Sequence, residues 1–351
     1  MTPNGAVWQG KRVCVTGGTG FLGFQIVQRL VALGARVRSL SLPPTHTHPL
    51  FGLESVEKFF GDVRDGDFVR EVCAGCDVIF HTAGLVAVWG PGLARLYDVH
   101  VNGTRKVLGA APPGARVVHT SSVVAVGASN GRPLTEDDPW NIPRVRVDYV
   151  QAKRAAEEVA LASAEDGRDV VVVNPGYLVG PEDHGASIMG RFCQRFWKGR
   201  ILLLPPGGLN LVDVRDVATG HLLAAERGQP GRRYILGGEN LLFPALARFL
   251  ASVAGMRPRP IRTIPRWVEW LLAAGAEIRA AMRHREPYPS FQHVRLHRFT
   301  WFYDSSRARD ELSFNPRPLS ESLRDAFECF AARRARRLQG IHRFWMRPEN
   351  R

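Results

Sequence analysis

Three glycines at a spacing of three residues constrain the fold of this chain more than any other feature. Gly17, Gly20 and Gly23 follow a run of apolar or β-branched residues at 13–16, and apolar residues then recur at helical spacing. This order predicts a strand, a tight turn and a helix. The backbone must turn sharply at Gly17, admit a pyrophosphate at Gly20 and let the helix pack on the strand at Gly23. We therefore predict a dinucleotide-binding loop whose phosphates face the helix N-terminus.

Size and composition favour one large α/β domain with a smaller lobe, since the chain has 351 residues and is 45% apolar. We expect no transmembrane helix, because no run of 18 apolar residues occurs. The short, polar segment Met1–Gly10 does not resemble a signal peptide. The five cysteines are scattered, and Cys73 and Cys76 have no second pair, so we predict no metal site and a reducing cytoplasm.

The formal net charge is +14, and arginines are concentrated near the end of the chain, at 333, 334, 336, 337, 343, 347 and 351. A basic tail can contact anionic lipid, although such ends are more often simply solvated. We keep peripheral membrane contact open and expect no nucleic-acid partner.

The end of the second predicted strand, Arg36–Leu42, normally selects the cofactor. An acidic residue there binds the ribose 2′-hydroxyl of NAD, whereas an arginine accepts the 2′-phosphate of NADP. Neither stands at the end of this strand, and Arg38 with Ser41 leans slightly towards NADP.

Two further strands are predicted to bring cofactor contacts to the same edge. The strand at 57–63 ends at Asp62, which can accept from the adenine amino group, with Val63 against the ring. The strand at 77–84 runs into small residues that let the backbone lie against the ribose and phosphate. We interpret His81 in this strand as a packed, hydrogen-bonded residue rather than a catalytic base.

A tyrosine and a lysine four residues apart form the second decisive feature. Tyr149 and Lys153 open a predicted helix, so the ammonium can lie beneath the phenol and lower its pKa. Such a phenol can act as a general acid or base near neutral pH. Ser122, at the end of the strand from Arg116, can hydrogen-bond the reacting oxygen, and Lys153 can bond the nicotinamide ribose.

The chain then passes over the nicotinamide at 175–181 and enters a second lobe. We place the dinucleotide-binding domain at 8–184, with the strand and helix at 209–227 returning to it, the substrate-binding lobe at 185–340 and a basic tail at 341–351. Asp216 is predicted to cap the helix that follows strand 211–215. The apolar helix at 265–282 either packs the lobe or forms a wall for a large substrate or a lipid surface.

The motifs TGGTGFLG, GDVRD, HTAG, VNGT, TSS, YVQAK, NPGYLVGPED and LVDVRDVA follow one another over nearly the whole chain. In this order the chain resembles the extended short-chain dehydrogenase/reductases, the NAD-dependent epimerase/dehydratase family. Residues 210–240 look like the dihydroflavonol-4-reductase-like branch, and most like hopanoid-associated sugar epimerases. Two positions depart from the pattern: Leu42 stands where NADP-using relatives often carry arginine, and 184–187 replaces a threonine- and proline-rich substrate loop.

The resemblance implies a Rossmann-type doubly wound sheet, an NAD or NADP cofactor and, by family habit, a homodimer. It implies that Ser122, Tyr149 and Lys153 are catalytic. Together with the residue patterns above, the expected cofactor contacts are Gly17, Thr19, Gly20, Phe21, Leu22, Gly23, Arg38, Asp62, Val63, Thr82, Ala83, Gly84, Thr120, Tyr149, Lys153, Pro175 and Gly176.

Three functional interpretations follow. The first is a reductase or dehydrogenase acting on a bulky alcohol or ketone. The many apolar and aromatic residues of the second lobe favour this interpretation. The second is a sugar epimerase or dehydratase with tightly held NAD, for which Arg191, Arg195, Lys198 and Arg215 would hold a diphosphate. The third is a cofactor-binding regulator, against which the complete proton-transfer set argues.

Overall fold

The computed structural model describes residues 2–44, 48–87, 89–90, 92–129, 131–184, 187–201, 203–257, 262–283 and 286–345. Over 336–345 it describes the backbone only. Residues 346–351 of the expected basic tail lie outside the described residues, as do Gly185 and Ala186 of the substrate loop.

A parallel sheet forms the centre of the fold, and over the described ranges it has seven strands. From one edge to the other the strands are Arg233–Leu236, Val170–Pro175, Arg116–Thr120, Val78–His81, Arg12–Thr16, Arg36–Ser41 and Val56–Phe60. The strand order reverses beside Arg12–Thr16, and α/β sheets open a ligand crevice at such a reversal. The predicted fold class is confirmed.

Helices cover both faces of this sheet because its strands carry apolar side chains on both sides. Val13 and Val15 point into one core, while Cys14 between them points into the other. The first core is closed by helices Phe21–Ala32 and Val214–Arg227. The second core is closed by helices Gly66–Cys73, Gly103–Ala110 and Asp148–Glu165.

A smaller sheet lies beyond the carboxyl end of strand Val170–Pro175. Its strands are Tyr177–Val179, Gly208–Asp213, Glu239–Leu242 and Thr300–Trp301, and Gly208–Asp213 pairs with each of the others. This differs from the expectation that the strand before the returning helix rejoins the large sheet. Arg233–Leu236 rejoins it instead, because the helix between them carries the chain back across the first core.

Asp213, rather than the predicted Asp216, caps the returning helix. The Asp213 side chain accepts from the backbone N–H of Arg215 at 2.7 Å. Asp216 lies inside the first turn, and its carboxylate accepts instead from Arg317. The helix therefore begins at Val214, directly after the strand.

A third core packs the smaller sheet against the helices of the second lobe, Ile188–Trp197, Phe243–Val253 and Leu319–Trp345. Helix Arg266–Arg283, which we call the outer helix, packs against the short helix Phe291–Leu296. The remaining elements are helices Gly5–Trp8, Gly92–Tyr97 and Ser306–Leu312, 3-10 turns Pro49–Gly52 and Val123–Ala125, and the paired strands Leu203–Leu204 and Arg262–Thr263. Among the described residues, no helix combines the length and apolar character that crossing a bilayer requires.

The helical segment over residues 92–110 contains an irregular turn. Helix Gly92–Tyr97 continues through a π-helical turn, Asp98–Asn102, into Gly103–Ala110. π-turns of this kind often stand at functional sites. The Asn102 amide donates to Asp98 at 2.8 Å, within this turn.

Candidate functional site

The glycine loop is folded so tightly that side chains are excluded from it. Gly17 has φ +75°, and a Cβ there would lie 2.8 Å from the backbone of Ala83. A Cβ on Gly23 would lie 2.2 Å from the carbonyl oxygen of Gly17. Gly20 donates to that same carbonyl at 2.8 Å and begins the helix with no side-chain cap. The loop thus leaves an uncapped helix N-terminus, which suits a bound phosphate.

A cavity of about 240 Å³ lies beside this loop at the carboxyl edge of the large sheet. The structure brings eight predicted cofactor residues into its lining: Gly17, Thr19, Gly20, Asp62, Val63, Thr82, Ala83 and Gly84. The lining also includes Ser41 and Leu42, which the sequence analysis considered for the choice of cofactor. It includes as well residues that the prediction missed: Leu40, Gly61, Leu85, Arg95 and Val99. Ser41 is tied to the loop, since its hydroxyl accepts from the N–H of Thr19 at 3.1 Å. A glycine cradle beside a cleft of this composition fits the adenosine and pyrophosphate parts of a dinucleotide.

Arg38, which the sequence predicts as a cofactor contact, does not line this cleft. It lies mid-strand, and its guanidinium donates to the carbonyls of Val72 and Ala74 at 3.1 and 2.8 Å and pairs with Glu57. The Arg38 side chain therefore caps the carboxyl end of helix Gly66–Cys73. The slight lean towards NADP rested on Arg38 and Ser41, and of these two residues Ser41 lines the cleft.

Arg95 supplies the cleft with a cation that the sequence prediction did not identify. Its guanidinium comes within 4.0 Å of the Asp62 carboxylate, and about half of its side chain is exposed. Asp62 is also held by Arg64, whose backbone and guanidinium donate to it at 2.7–3.0 Å. These bonds keep the pKa of Asp62 below its usual value.

Ser122 and Tyr149 lie together at the carboxyl end of strand Arg116–Thr120. Ser122 caps the turn Val123–Ala125, with its hydroxyl oxygen accepting from the Val124 N–H at 3.4 Å. Tyr149 lies in the first turn of helix Asp148–Glu165, and the Ser122 hydroxyl is close enough to offset part of the rise that burial causes in the Tyr149 pKa. Two hydroxyls side by side at this edge can pass a proton and orient a carbonyl or alcohol oxygen.

Lys153 follows Tyr149 by one helical turn, as the spacing predicts, but its ammonium is directed elsewhere. It is 7% exposed and donates to the backbone carbonyl of Thr120 at 2.9 Å. Burial lowers the pKa of Lys153 to about 8 and raises the pKa of Tyr149 to about 12, and the nearby Ser122 hydroxyl partly offsets the second shift. The expected lowering of the Tyr149 pKa is therefore not seen, because burial disfavours the phenolate.

A buried polar network behind these residues was not predicted. The Asn174 side-chain nitrogen donates to the Ser122 carbonyl at 3.1 Å and also to the carboxylate of Glu157. Glu157 is fully buried and accepts from Arg233 at 3.0 Å. Glu157 lies one turn after Lys153 on the same helix face, and this spacing was the local sequence signal that could have predicted its part in the network. The network fixes the backbone of Ser122 and counters the burial effect on the pKa of Lys153.

The interpretation of His81 as a packed histidine is confirmed. Its ring nitrogens contact the hydroxyls of Thr16 at 2.8 Å and Thr104 at 3.1 Å, and burial lowers its pKa to about 3. His100, in the π-turn, donates to the Leu85 carbonyl at 2.7 Å and packs edge-on against Tyr149. The π-turn thus presents a neutral ring to the phenol.

Four other predicted cofactor contacts, Pro175, Gly176, Leu22 and Thr120, lie near the glycine loop or near Ser122 and Tyr149. Pro175 ends its strand, and Gly176 packs where a Cβ would lie 2.5 Å from the Asn210 side chain. The Leu22 side chain is buried in the first core, so only its backbone faces the loop. The Thr120 hydroxyl contacts His221 at 2.9 Å, which leaves its carbonyl for Lys153.

A larger cavity, of about 670 Å³, opens from Phe21 towards the second lobe. Its other walls are Leu178–Gly180, Glu182–His184, one face of helix Ile188–Trp197 and the part of helix Leu319–Trp345 around Phe330. Lys198, Arg200, Arg333 and Arg334 line its rim. Among the described residues, no group of three or more histidine, cysteine or acidic side chains is arranged to hold a metal ion.

The comparisons with known proteins agree with this geometry. The model of the NAD dependent epimerase/dehydratase family matches residues 13–237. A putative dihydroflavonol 4-reductase from Synechocystis is 35% identical over 90% of this chain and 93% of its own. Sterol demethylase protein B from Methylococcus capsulatus is 34% identical, covering 91% and 98%. The crystal structure of gox2253 aligns with a TM-score of 0.79 at 31% identity, covering 92% and 98%. This chain therefore belongs to the NAD-dependent epimerase/dehydratase family of extended short-chain dehydrogenase/reductases.

Proposed function

We propose that this enzyme is an NAD(P)-dependent oxidoreductase acting at a secondary alcohol or ketone of a bulky, largely apolar substrate. The observation that carries the proposal is the placement of Ser122 and Tyr149 beside each other at the carboxyl edge of the large sheet, with Lys153 one turn further on. When bound, the nicotinamide cofactor supplies or accepts the hydride. The residues derived below bind, orient and move the proton.

Tyr149 is the proposed proton donor for reduction and proton acceptor for oxidation at the substrate oxygen. Ser122 can donate to that oxygen because its own oxygen is already held by the Val124 N–H. Lys153 is held at the Thr120 carbonyl, and its proposed role is to bind the nicotinamide ribose from that position. Its lowered pKa, about 8, puts its own protonation change near neutral pH.

The cofactor contacts and the domain boundaries remain part of this proposal. The predicted contacts are kept except for Arg38, and Arg95 is added as a cation that can face the adenosine end. The division at residue 184 is supported by the change from the large to the smaller sheet near Tyr177. A cytoplasmic location is supported by five free cysteines, among them Cys14 and Cys73 with sulfurs 3.9 Å apart. The homodimer remains an expectation from the resemblance.

A sugar-nucleotide epimerase or dehydratase is the second candidate. The three arginines predicted to hold its diphosphate are all engaged in contacts within the protein. Arg215 pairs with Asp213 and Asp325, Arg191 pairs with Glu286, and Arg195 stacks on the Tyr288 ring. The fourth predicted cation, Lys198, lines the larger cavity together with Arg200, Arg333 and Arg334, and these four cations favour an anionic substrate. Because relatives of this chain are named as reductases, we favour net oxidoreduction over epimerisation.

The deciding experiment denatures the purified protein and identifies any released dinucleotide by mass. Near-stoichiometric NAD would indicate a captive cofactor and overturn the net oxidoreductase in favour of the epimerase. A protein that instead binds NADH or NADPH reversibly supports our proposal. Tyr149→Phe should then abolish turnover of bulky ketones while leaving dinucleotide affinity within several-fold. Full activity in this variant would overturn the assigned role of Tyr149.

A further inference from the structure

The outer helix, Arg266–Arg283, is packed with its small residues inward and its large apolar residues outward. Ala273, Ala276 and Ala280 are buried against the protein body. On the opposite side Trp267 is 67% exposed, Leu271 64%, Ile278 66% and Met282 79%. An ordinary surface helix has the reverse arrangement, because burying large apolar side chains stabilises the fold most.

These large side chains form one continuous surface. Trp267, Leu271, Ile278 and Met282 follow one another at intervals of four, seven and four residues, which repeat on a single helix face. At 1.5 Å of rise per residue the face is about 22 Å long. Trp270, which is 38% exposed, borders it. We call these five side chains the apolar face.

The charges around the apolar face have one sign. Arg266, Arg279 and Arg283 are exposed, and within the described part of the chain none of the three takes part in an ion pair. The two acidic residues of the helix are turned to other contacts: Glu269 is buried against His297, and Glu277 accepts from the Phe291 N–H at 2.8 Å. The exposed side of the helix is therefore apolar in the middle and cationic at its edges.

We propose that the apolar face docks in the plane of an anionic lipid bilayer. Tryptophans suit the boundary between headgroups and acyl chains, and flanking arginines suit anionic headgroups. A second copy of the same helix would bring cations against cations, whereas anionic lipid neutralises them. The net charge of +14 favours the same surface. This inference is independent of the reaction, and it would place the enzyme where large apolar substrates dissolve.

The test is co-sedimentation of the full-length protein with vesicles of phosphatidylcholine, alone or mixed with phosphatidylglycerol. We expect binding to the mixed vesicles that weakens at high salt. The affinity of the double variant Leu271→Gln/Ile278→Gln for the mixed vesicles should fall at least about tenfold, because two apolar side chains that would enter the bilayer are replaced by polar ones. The matched control is Leu242→Gln, which removes a leucine of similar exposure, 50%, outside the helix. Circular dichroism and dinucleotide affinity should be unchanged in both variants.

Three outcomes would overturn the proposal. One is failure of the wild-type protein to sediment with the mixed vesicles, and another is equal sedimentation of the double variant. The third is a wild-type dimer in analytical ultracentrifugation that the double variant converts to monomer without vesicle binding, which assigns the apolar face to a second copy. Quenching of tryptophan emission by brominated lipid, lost in Trp267→Phe/Trp270→Phe, would locate the contact on this helix.

Discussion

The Lys153 ammonium donates to the backbone carbonyl of Thr120 across 2.9 Å, which joins the helix of Tyr149 to the strand that leads to Ser122. This bond ties together two segments that are far apart in the sequence. It also explains how a lysine that is 7% exposed retains a partner. The pKa of Lys153, about 8, follows from this enclosure and carries the first prediction.

Lys153 should make stability depend on pH above neutrality. Its pKa is about 8 in the folded chain against 10.5 for an ordinary lysine. Between these values the unfolded chain binds the extra proton, so the unfolding free energy rises with pH. We expect this rise to be about 3 kcal/mol between pH 8 and 10.5. Urea unfolding across this range should show it in the wild-type protein and not in Lys153→Met. Parallel curves for the two proteins would contradict the prediction.

The buried carboxylate of Glu157 should contribute more to stability than the exposed one next to it. Glu157→Gln leaves Arg233 without its charge partner in the interior, so we expect the unfolding free energy to fall by about 3 kcal/mol. Glu158→Gln is the matched control, since Glu158 is exposed and pairs with Arg154 on the surface of the same helix. This change should cost less than about 0.5 kcal/mol. Equal losses in denaturant titrations would show that the buried network is not special.

Two helical glycines should respond in opposite ways to alanine. A Cβ on Gly23 would press on the Gly17 carbonyl at 2.2 Å, so Gly23→Ala should distort the loop and weaken dinucleotide binding at least about tenfold. Gly275 has open space around it, so Gly275→Ala should stabilise the outer helix by about 1 kcal/mol. Calorimetric titration with NADH and NADPH tests the first change, and thermal unfolding tests both. Unchanged affinity in Gly23→Ala would remove the loop from our site.

Arg38 and Arg95 should separate structure from cofactor binding. Arg38→Gln removes donors from the Val72 and Ala74 carbonyls, so we expect it to reduce stability by about 1–2 kcal/mol. It should leave the ratio of NADPH to NADH affinity within twofold. Arg95→Gln, in the cleft, should weaken dinucleotide binding several-fold with little effect on stability. A large change of cofactor preference in Arg38→Gln would restore the role that the sequence suggested.

Local patterns were sufficient for the elements that build the large sheet. The glycine spacing from Gly17 to Gly23 places a strand, a turn and a helix within a dozen residues, and the structure has them there. The four-residue spacing of Tyr149 and Lys153 likewise places both on one helix face. These predictions succeeded because each depends on neighbours in the sequence. The assignment of the family rests on the same short motifs.

Contacts between distant segments could not be read from such patterns. Arg38 belongs to a strand that the sequence predicts, yet the sequence does not say which helix its guanidinium will meet. The same holds for Asp213, which caps a helix because the smaller sheet delivers it there. Asn174, Glu157 and Arg233 meet only when strand Arg233–Leu236 returns to the edge of the large sheet.

The outer helix shows most clearly which features the sequence determines and which the tertiary structure decides. The sequence by itself determined that a helix with large apolar side chains stands near residues 265–282, since that depends on local propensity and periodicity. Only the tertiary structure decided that Ala273, Ala276 and Ala280 face inward, while Trp267 and Ile278 face outward. A helical pattern gives the faces of a helix, but the choice of the buried face depends on the shape of the surface that receives it.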